Sequence, residues 1–178
     1  AKGRDADDTT YANTLINMMP DVAVGIATPS AYALANAAKG DIPVVFTAVS
    51  DPEAEDADFR TFDNVTGSSD KLPVESQIDL IKAFLSKGEE PVKIGILFTN
   101  TEANSKSQIA EFEALAEEKN IEIVSRGVNT ANEIPTAIDA LIAQGIDCFN
   151  NLTDNTVVQN LQTLLDKADA AGIPVFGS

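Results

Sequence analysis

Apolar and polar positions along the chain alternate between a short, strand-like period and a helical one. Residues 21–52 (DVAVGIATPSAYALANAAKGDIPVVFTAVSDP) set the scheme. Val22, Val24 and Ile26 lie in an apolar run too short for an ordinary helix. Thr28 offers a hydroxyl at an N-cap, and Pro29 suits the first helical position, where its missing N–H costs nothing. The alanine-rich segment 31–39 is helix-compatible, and Gly40 can take the left-handed conformation that ends a helix. Pro43 opens a second run, Val44-Val45-Phe46, which stops at small polar residues. The pattern predicts a βαβ unit whose strands are buried on both faces in a parallel sheet. Upstream, residues 1–8 are polar and expected to fray. Asp8 or Thr9 can cap a helix to about Met19, with Tyr11, Leu15 and Met18 on one face.

Residues 53–63 are acidic and irregular, and 64–69 (NVTGSS) read as an edge strand or a crossover. Pro73 starts a helix with Val74, Ile78, Ile81 and Leu85 in one stripe. A regular series follows: a strand at 92–98, a helix at 103–118 carrying Ile109, Phe112 and Leu115, and a strand at 121–128. Thr130 and Glu133 have capping-box spacing before a helix with Ile134, Ile138, Leu141 and Ile142. A strand at 146–149, a helix at 157–171 with Val158, Leu161 and Leu165, and a strand opening at Val175 complete it. KGDIPV, KGEEPV and AGIPV each pair a glycine helix stop with a proline strand start, which supports three helix-to-strand joints. Strand–helix alternation with short joints gives parallel α/β sheets. The irregular stretch divides them into two lobes: residues 1–70 form a partial first lobe and 71–176 a second, with 177–178 starting a crossover back.

Composition narrows the function. The 178 residues carry a net charge of −16, which disfavours nucleic acid and anionic lipid as partners. Histidine is absent, which excludes His-based triads and His metal sites. The single cysteine, Cys148, sits in a strand-like run and reads as a buried apolar residue. No apolar stretch reaches membrane-spanning length. No leader segment is recognisable, so the chain is expected to be cytoplasmic or a trimmed, mature product.

Polar residues gather after almost every strand: Thr28 and Ser30; Thr47, Ser50 and Asp51; Thr99, Asn100, Thr101, Glu102, Asn104 and Ser105; Asn150, Asn151, Thr153, Asp154, Asn155 and Thr156. Each can serve as a helix cap. Their concentration at the carboxyl ends of strands, where open α/β sheets bind ligands, points to a binding site. They include no histidine base, no CxxC and no phosphate-binding loop, so enzyme, metal and cofactor chemistry are not expected. Hydroxyls, amides and helix N-termini suit a carboxylate. Asp51, Asp70, Glu102 and Asp154 suit an ammonium, with Asp154 the favoured anchor and Glu102 expected to face solvent. Together they describe a zwitterion such as an amino acid.

The segments IATPSAYALANAAKGDIPVVFTAVSDP, NVTGSSDKLPVESQIDLIK, IGILFTNTEANS, LTDNTV and IPVFGS, in this order, resemble the substrate-binding components of ABC importers, in the family that includes tryptophan-, phenylalanine- and tyrosine-binding proteins. The resemblance implies a two-lobed type I periplasmic-binding-protein fold that closes around one small ligand. Family members begin with a further strand and helix and continue past the segment matching PVFGS, so the chain is expected to be a fragment. The family's polar loops fall on Thr28, Pro29 and Ser30; Ser50 and Asp51; Ser69 and Asp70; Asn100, Glu102, Asn104 and Ser105; and Thr153, Asp154, Asn155 and Thr156, and all of these but Glu102 are expected to bind the ligand. Two departures stand out: Thr99-Asn100-Thr101 where relatives often carry Asn-Pro-Ser, and Tyr32 where relatives carry a small or amide residue. The resemblance further implies a membrane permease as partner, an extracytoplasmic location (periplasmic or lipid-anchored), a monomer, and an amino acid as ligand, aromatic favoured. The effector domain of a transcription regulator, which shares the fold, is the alternative.

Overall fold

The computed structural model describes residues 5–85 and 87–177, with side chains from Asp7 onward. The fraying expected of residues 1–8 and the crossover expected at 177–178 fall partly outside the described residues. The chain forms two compact units: Ala1–Leu72 with Thr101–Asn104, and Pro73–Asn100 with Ser105–Ser178.

In the first unit, α1 (Asp5–Ile16) precedes β1 (Ala23–Ile26), α2 (Thr28–Ala38), β2 (Val44–Val49) and β3 (Val65–Ser69). The strands pair in parallel in the order β1-β2-β3. A Cβ on Gly25 would lie 2.4 Å from Ala31 Cα, so glycine is what lets α2 pack directly on β1. Ala31 and Ala35 meet Phe46, Val49 and Phe59 in one core cluster, while Ala12, Ala23, Leu34 and Val44 make another.

Three expectations change here. Thr28 is not a cap: α2 begins at Thr28, and the preceding Ala27 (φ 68, ψ 154) makes no side-chain cap bond. The apolar faces of β1 and α1 are also reversed. Val22, Val24 and Ile26 are 50–65% exposed, while Ala23 is buried. Tyr11, Leu15 and Met18 point outward, while Asp8 and Ala12 are buried. Small residues permit the close approach of α1, α2 and the sheet, so the alanines take the interior and the bulkier set is left outside. Finally, Lys39 (φ 50) takes the left-handed C-cap, one residue before Gly40 (φ 89).

The second unit comprises α3 (Val74–Leu85), β4 (Val92–Thr99), α4 (Ala103–Lys119), β5 (Ile121–Val128), α5 (Ile134–Ala143), β6 (Cys148–Asn151), α6 (Asn155–Gln159), α7 (Leu161–Ala171) and β7 (Val175–Gly177). Its parallel sheet runs β5-β4-β6-β7. α3 and α4 cover one face with Val74, Ile78, Ile81, Ile109 and Phe112. α5 and α7 cover the other with Ile134, Ile138, Leu141 and Leu164. β4 is apolar on both faces because it is central. Cys148 is fully buried, and burial, then the charge of Asp147, pushes its thiol up to about 12.

The strand expected at 146–149 lies two residues later. The helix expected at 157–171 is broken at Asn160 (φ −112, ψ 17) into α6 and α7. The break rotates the buried stripe to Val157, Leu164 and Ala168 and leaves Val158 and Leu165 exposed. The capping box also differs. Glu133 accepts from Asn129 N and Thr130 Oγ1, but Thr130 caps no backbone N–H.

Candidate functional site

Because every strand is parallel within its sheet, each unit collects its strand-end polar residues along one edge. In the first unit, a cavity of about 440 Å³ is lined by Asp8, Thr9 and Asn13 of α1 and by Thr28, Pro29, Tyr32 and Asn36 of α2, with Asp56 and Thr101 nearby. Thr28 and Pro29 reach it because α2 starts immediately after β1, which sets the helix's N-terminal turn at the cavity wall. Ser30 points elsewhere, donating to Asp8 Oδ1 at 3.2 Å. Tyr32 stands edge-on to Phe59 (5.5 Å between centroids) and Phe62 (5.8 Å), which fixes its ring at the cavity wall.

The ends of β2 and β3 meet through the pairing of Val49 with Ser69. Ser69 Oγ donates to the Ser50 carbonyl at 3.2 Å and accepts from Lys71 N at 3.1 Å. Asp70 N donates to the Val49 carbonyl. Asp51 Oδ1 accepts from Glu53 N at 3.0 Å, folding its own loop. Ser50 and Asn104 are buried. Glu102, expected to face solvent, is 3% exposed: it lies in the buried turn that leads into α4.

In the second unit, Asp154 is the hub. It is fully buried, and its carboxylate accepts four hydrogen bonds: from Thr99 N (2.7 Å) and Ser105 Oγ (2.8 Å) on Oδ2, and from Thr99 Oγ1 (2.8 Å) and Val157 N (3.0 Å) on Oδ1. The last bond caps α6. This one carboxylate therefore ties together the end of β4, the start of α4 and the loop after β6. All of these bonds come from the chain's own donors, so Asp154 shapes the loop rather than presenting a bare charge. Beside it, Gln108 Nε2 donates to Thr153 Oγ1 at 2.7 Å. Asn100 donates to Asn129 Oδ1 at 2.9 Å and packs so closely on Gly127 that a Cβ there would lie 2.0 Å from Asn100 Oδ1. Asn155 opens α6, and the Thr156 carbonyl accepts from Asn160 Nδ2.

The structure thus groups Thr28 with Pro29, Ser50 with Ser69 and Asp70, and Ser105 with Asp154. Sequence reading missed Asp8 as a cavity residue and Gln108 as a buried polar group, while Thr99 and Asn150, which stand among the strand-end polar residues, are buried. Asp8 looked like a cap, and the sequence carried no signal that it faces inward, because the burial of Ala12 one turn later was hidden as well. Among the described residues, no group of three acidic, histidine or cysteine side chains could hold a metal, and no helix is long and apolar enough to cross a membrane.

Residues 1–178 match the family model described as ABC transporter substrate binding protein. The chain belongs to that family. Its members bind solutes rather than transform them, so the chain is not an enzyme. The tyrosine-binding protein of Clostridioides difficile (strain R20291) is 33% identical over 173 residues, covering 95% of this chain and 48% of that protein. A conserved domain protein from Vibrio cholerae is similar in structure, with a TM-score of 0.86 and 36% identity over 98% of this chain and 58% of that one. The ABC domain in complex with L-Trp from Streptococcus pneumoniae gives a TM-score of 0.88 and 31% identity over 99% and 60%. The chain spans about half the length of the curated relative it matches, 48%.

Proposed function

We propose that this chain is part of an extracytoplasmic receptor that binds one amino acid, aromatic favoured, between its two α/β lobes and delivers it to an ABC importer's permease. The observation that carries the reading is the cavity at the start of α2, largely apolar with Tyr32 in its wall and Asp8, Thr28 and Asn36 as polar groups on its lining. Helix N-terminal amides favour a carboxylate there, and Tyr32 offers an aromatic surface. The relatives' ligands, tyrosine in one and L-Trp in another, fit the same chemistry.

On this reading Thr28, Pro29 and Ser30, with Ser50, Asp51, Ser69 and Asp70, form the first lobe's share of the site. Asn100, Asn104, Ser105, Thr153, Asn155 and Thr156 form the loops of the other share, and Asp154 holds those loops in shape. Native mass spectrometry of the full-length protein purified from cells tests it. The expected result is a co-purified amino acid, displaced by added tyrosine or tryptophan. A protein that retains no amino acid, and shows no calorimetric binding to any of the twenty, refutes it.

A further inference from the structure

Residues 53–63 are acidic and irregular in sequence, yet they carry two aromatic side chains that back the cavity wall. The segment folds into two single-turn 3₁₀ helices, Glu55–Ala57 and Phe59–Thr61. Its backbone closes on itself. Ala57 N donates to the Ala54 carbonyl at 2.9 Å, Phe59 N to that of Pro52 at 2.9 Å and Phe62 N to that of Phe59 at 3.2 Å. Asp58 accepts from Arg60 N, Nε and Nη2, each at 2.9 Å, and Glu53 accepts from Arg60 Nη1 at 3.0 Å. The segment's charged groups are thus tied to one another, and its apolar groups are left to pack inward.

Residues three apart eclipse in a 3₁₀ turn, which brings Phe59 and Phe62 to the same side. Both meet Tyr32 of α2 nearly at right angles, at 75° and 79°. Phe59 is buried among Ala31, Ala35 and Val49 and leans in turn on Phe46 of β2, 4.9 Å between centroids. Phe46 is itself fixed over β3: a Cβ on Gly67 would lie 2.4 Å from its Cγ. Four rings, Phe46, Phe59, Tyr32 and Phe62, therefore connect the sheet to the cavity wall. Tyr32 lines the cavity, with Asp56 and Ala57 of the same segment beside it, whereas Phe59 and Phe62 stand behind it and do not.

We propose that Phe59 and Phe62 are positioning residues of the site: they hold the Tyr32 ring in place ahead of binding, so that a ligand meeting this wall does not have to order it. The inference rests on the amino-acid reading above and adds the residues that preorganise its aromatic wall. A side chain that is immobilised only on binding costs affinity, and one immobilised beforehand does not. Perpendicular ring pairs suit the task, because they stabilise beyond the area they bury and fix orientation as well as distance. Phe62 is the half-buried outer member of the set. Its removal frees Tyr32 while Phe59 stays anchored in the core.

The test is calorimetry and near-ultraviolet circular dichroism on the full-length protein, with tyrosine, tryptophan and phenylalanine as ligands. Phe62→Leu keeps bulk but removes the ring, and should weaken whichever of the three the parent binds by ~3- to 10-fold. Phe62→Tyr, the conservative variant, should restore binding to the parent's level. The dichroism of Tyr32 itself, isolated as the change that Tyr32→Phe makes, should shrink in the Phe62→Leu background, whereas a role in stability alone leaves it unmoved. Phe62→Met gives a second reading should Phe62→Leu fail to fold. Parental affinity in the folded variant overturns the inference while leaving the amino-acid reading intact. Weakened binding with the dichroism of Tyr32 undiminished also overturns it, because Phe62 then does not act through that ring. A parent that binds none of the three overturns the aromatic amino-acid reading and this inference with it.

Discussion

Replacing Asp154 with Asn removes one acceptor oxygen and puts an NH₂ in its place. Each carboxylate oxygen serves one backbone N–H and one hydroxyl: Thr99 N with Ser105 Oγ, and Val157 N with Thr99 Oγ1. Whichever way the amide turns, its NH₂ meets a backbone N–H. A hydroxyl can rotate and accept from the new donor, but a backbone N–H cannot. One buried N–H is left unpaired, at about 1–3 kcal/mol. The surviving bonds go to a neutral acceptor and lose their charge assistance, roughly 1 kcal/mol each. The sum is about 3–5 kcal/mol, which for a chain of this size lowers the melting temperature by roughly 10 °C. Urea or thermal unfolding followed by far-UV circular dichroism measures it. Glu113→Gln, an exposed carboxylate on α4, is the control and should stay within ~0.5 kcal/mol of the parent. Ser105→Ala, which deletes one donor and leaves the carboxylate paired to three, should cost only about 1 kcal/mol. An Asp154→Asn midpoint equal to the parent's would refute the reasoning, since it would mean that the hydrogen bonds to the carboxylate contribute no net stability.

Ala27 holds φ 68 and ψ 154, a region that favours glycine, so Ala27→Gly should raise stability by about 1 kcal/mol once glycine's added chain entropy is subtracted; an unchanged unfolding midpoint contradicts this. Asp147 is pushed up by burial, but its bonds with Lys87 Nζ (2.6 Å) and Lys93 N (2.8 Å) outweigh that and hold its carboxyl below the usual range. A depressed carboxyl stabilises the fold above its unfolded value and loses that contribution as pH falls through the folded one. Asp147→Asn should therefore be less stable than the parent near neutral pH, with the gap closing below about pH 4 in a pH series of unfolding midpoints. Cys148, buried and with its thiol raised to about 12, should resist a thiol reagent at neutral pH and label only in denaturant; rapid labelling of the folded chain counts against its burial.

The sequence made the central elements legible where one physical signal dominated. β4 was clear because a strand buried on both faces is apolar at nearly every position. The joints at Gly88, Gly145 and Gly172 were clear because each glycine takes a positive φ that few other residues accept. What stayed hidden were choices between two apolar sets. In α1 and β1 the bulky residues outscored the alanines, yet close packing gave the interior to Ala12 and Ala23. The break at Asn160 was invisible because both halves have helical periodicity and only their phase differs. For the site, the strand-end loops were visible as composition. Their division into structural and ligand-facing groups was not, because Asp, Asn, Ser and Thr cap helices and bind ligands with the same atoms.

That ambiguity has a physical resolution. Polar residues at a strand end first have to satisfy the chain's own backbone, since a buried N–H without a partner destabilises the fold more than one hydrogen bond to a ligand helps function. Asp154, Ser69 and Asp51 do this, each bonding a backbone N–H a few residues away. Recognition on the proposed reading then falls to the N-terminus of α2 beside Thr28 and Pro29 and to the ring of Tyr32. Asp8 and Asp56 line the same cavity, and on that reading their carboxylates suit the ligand's ammonium. A chain whose net charge is −16 repels anions at long range, so a ligand that carries an ammonium beside its carboxylate suits this wall better than an anion does. A zwitterion approaches without that repulsion and meets α2's amides with its carboxylate.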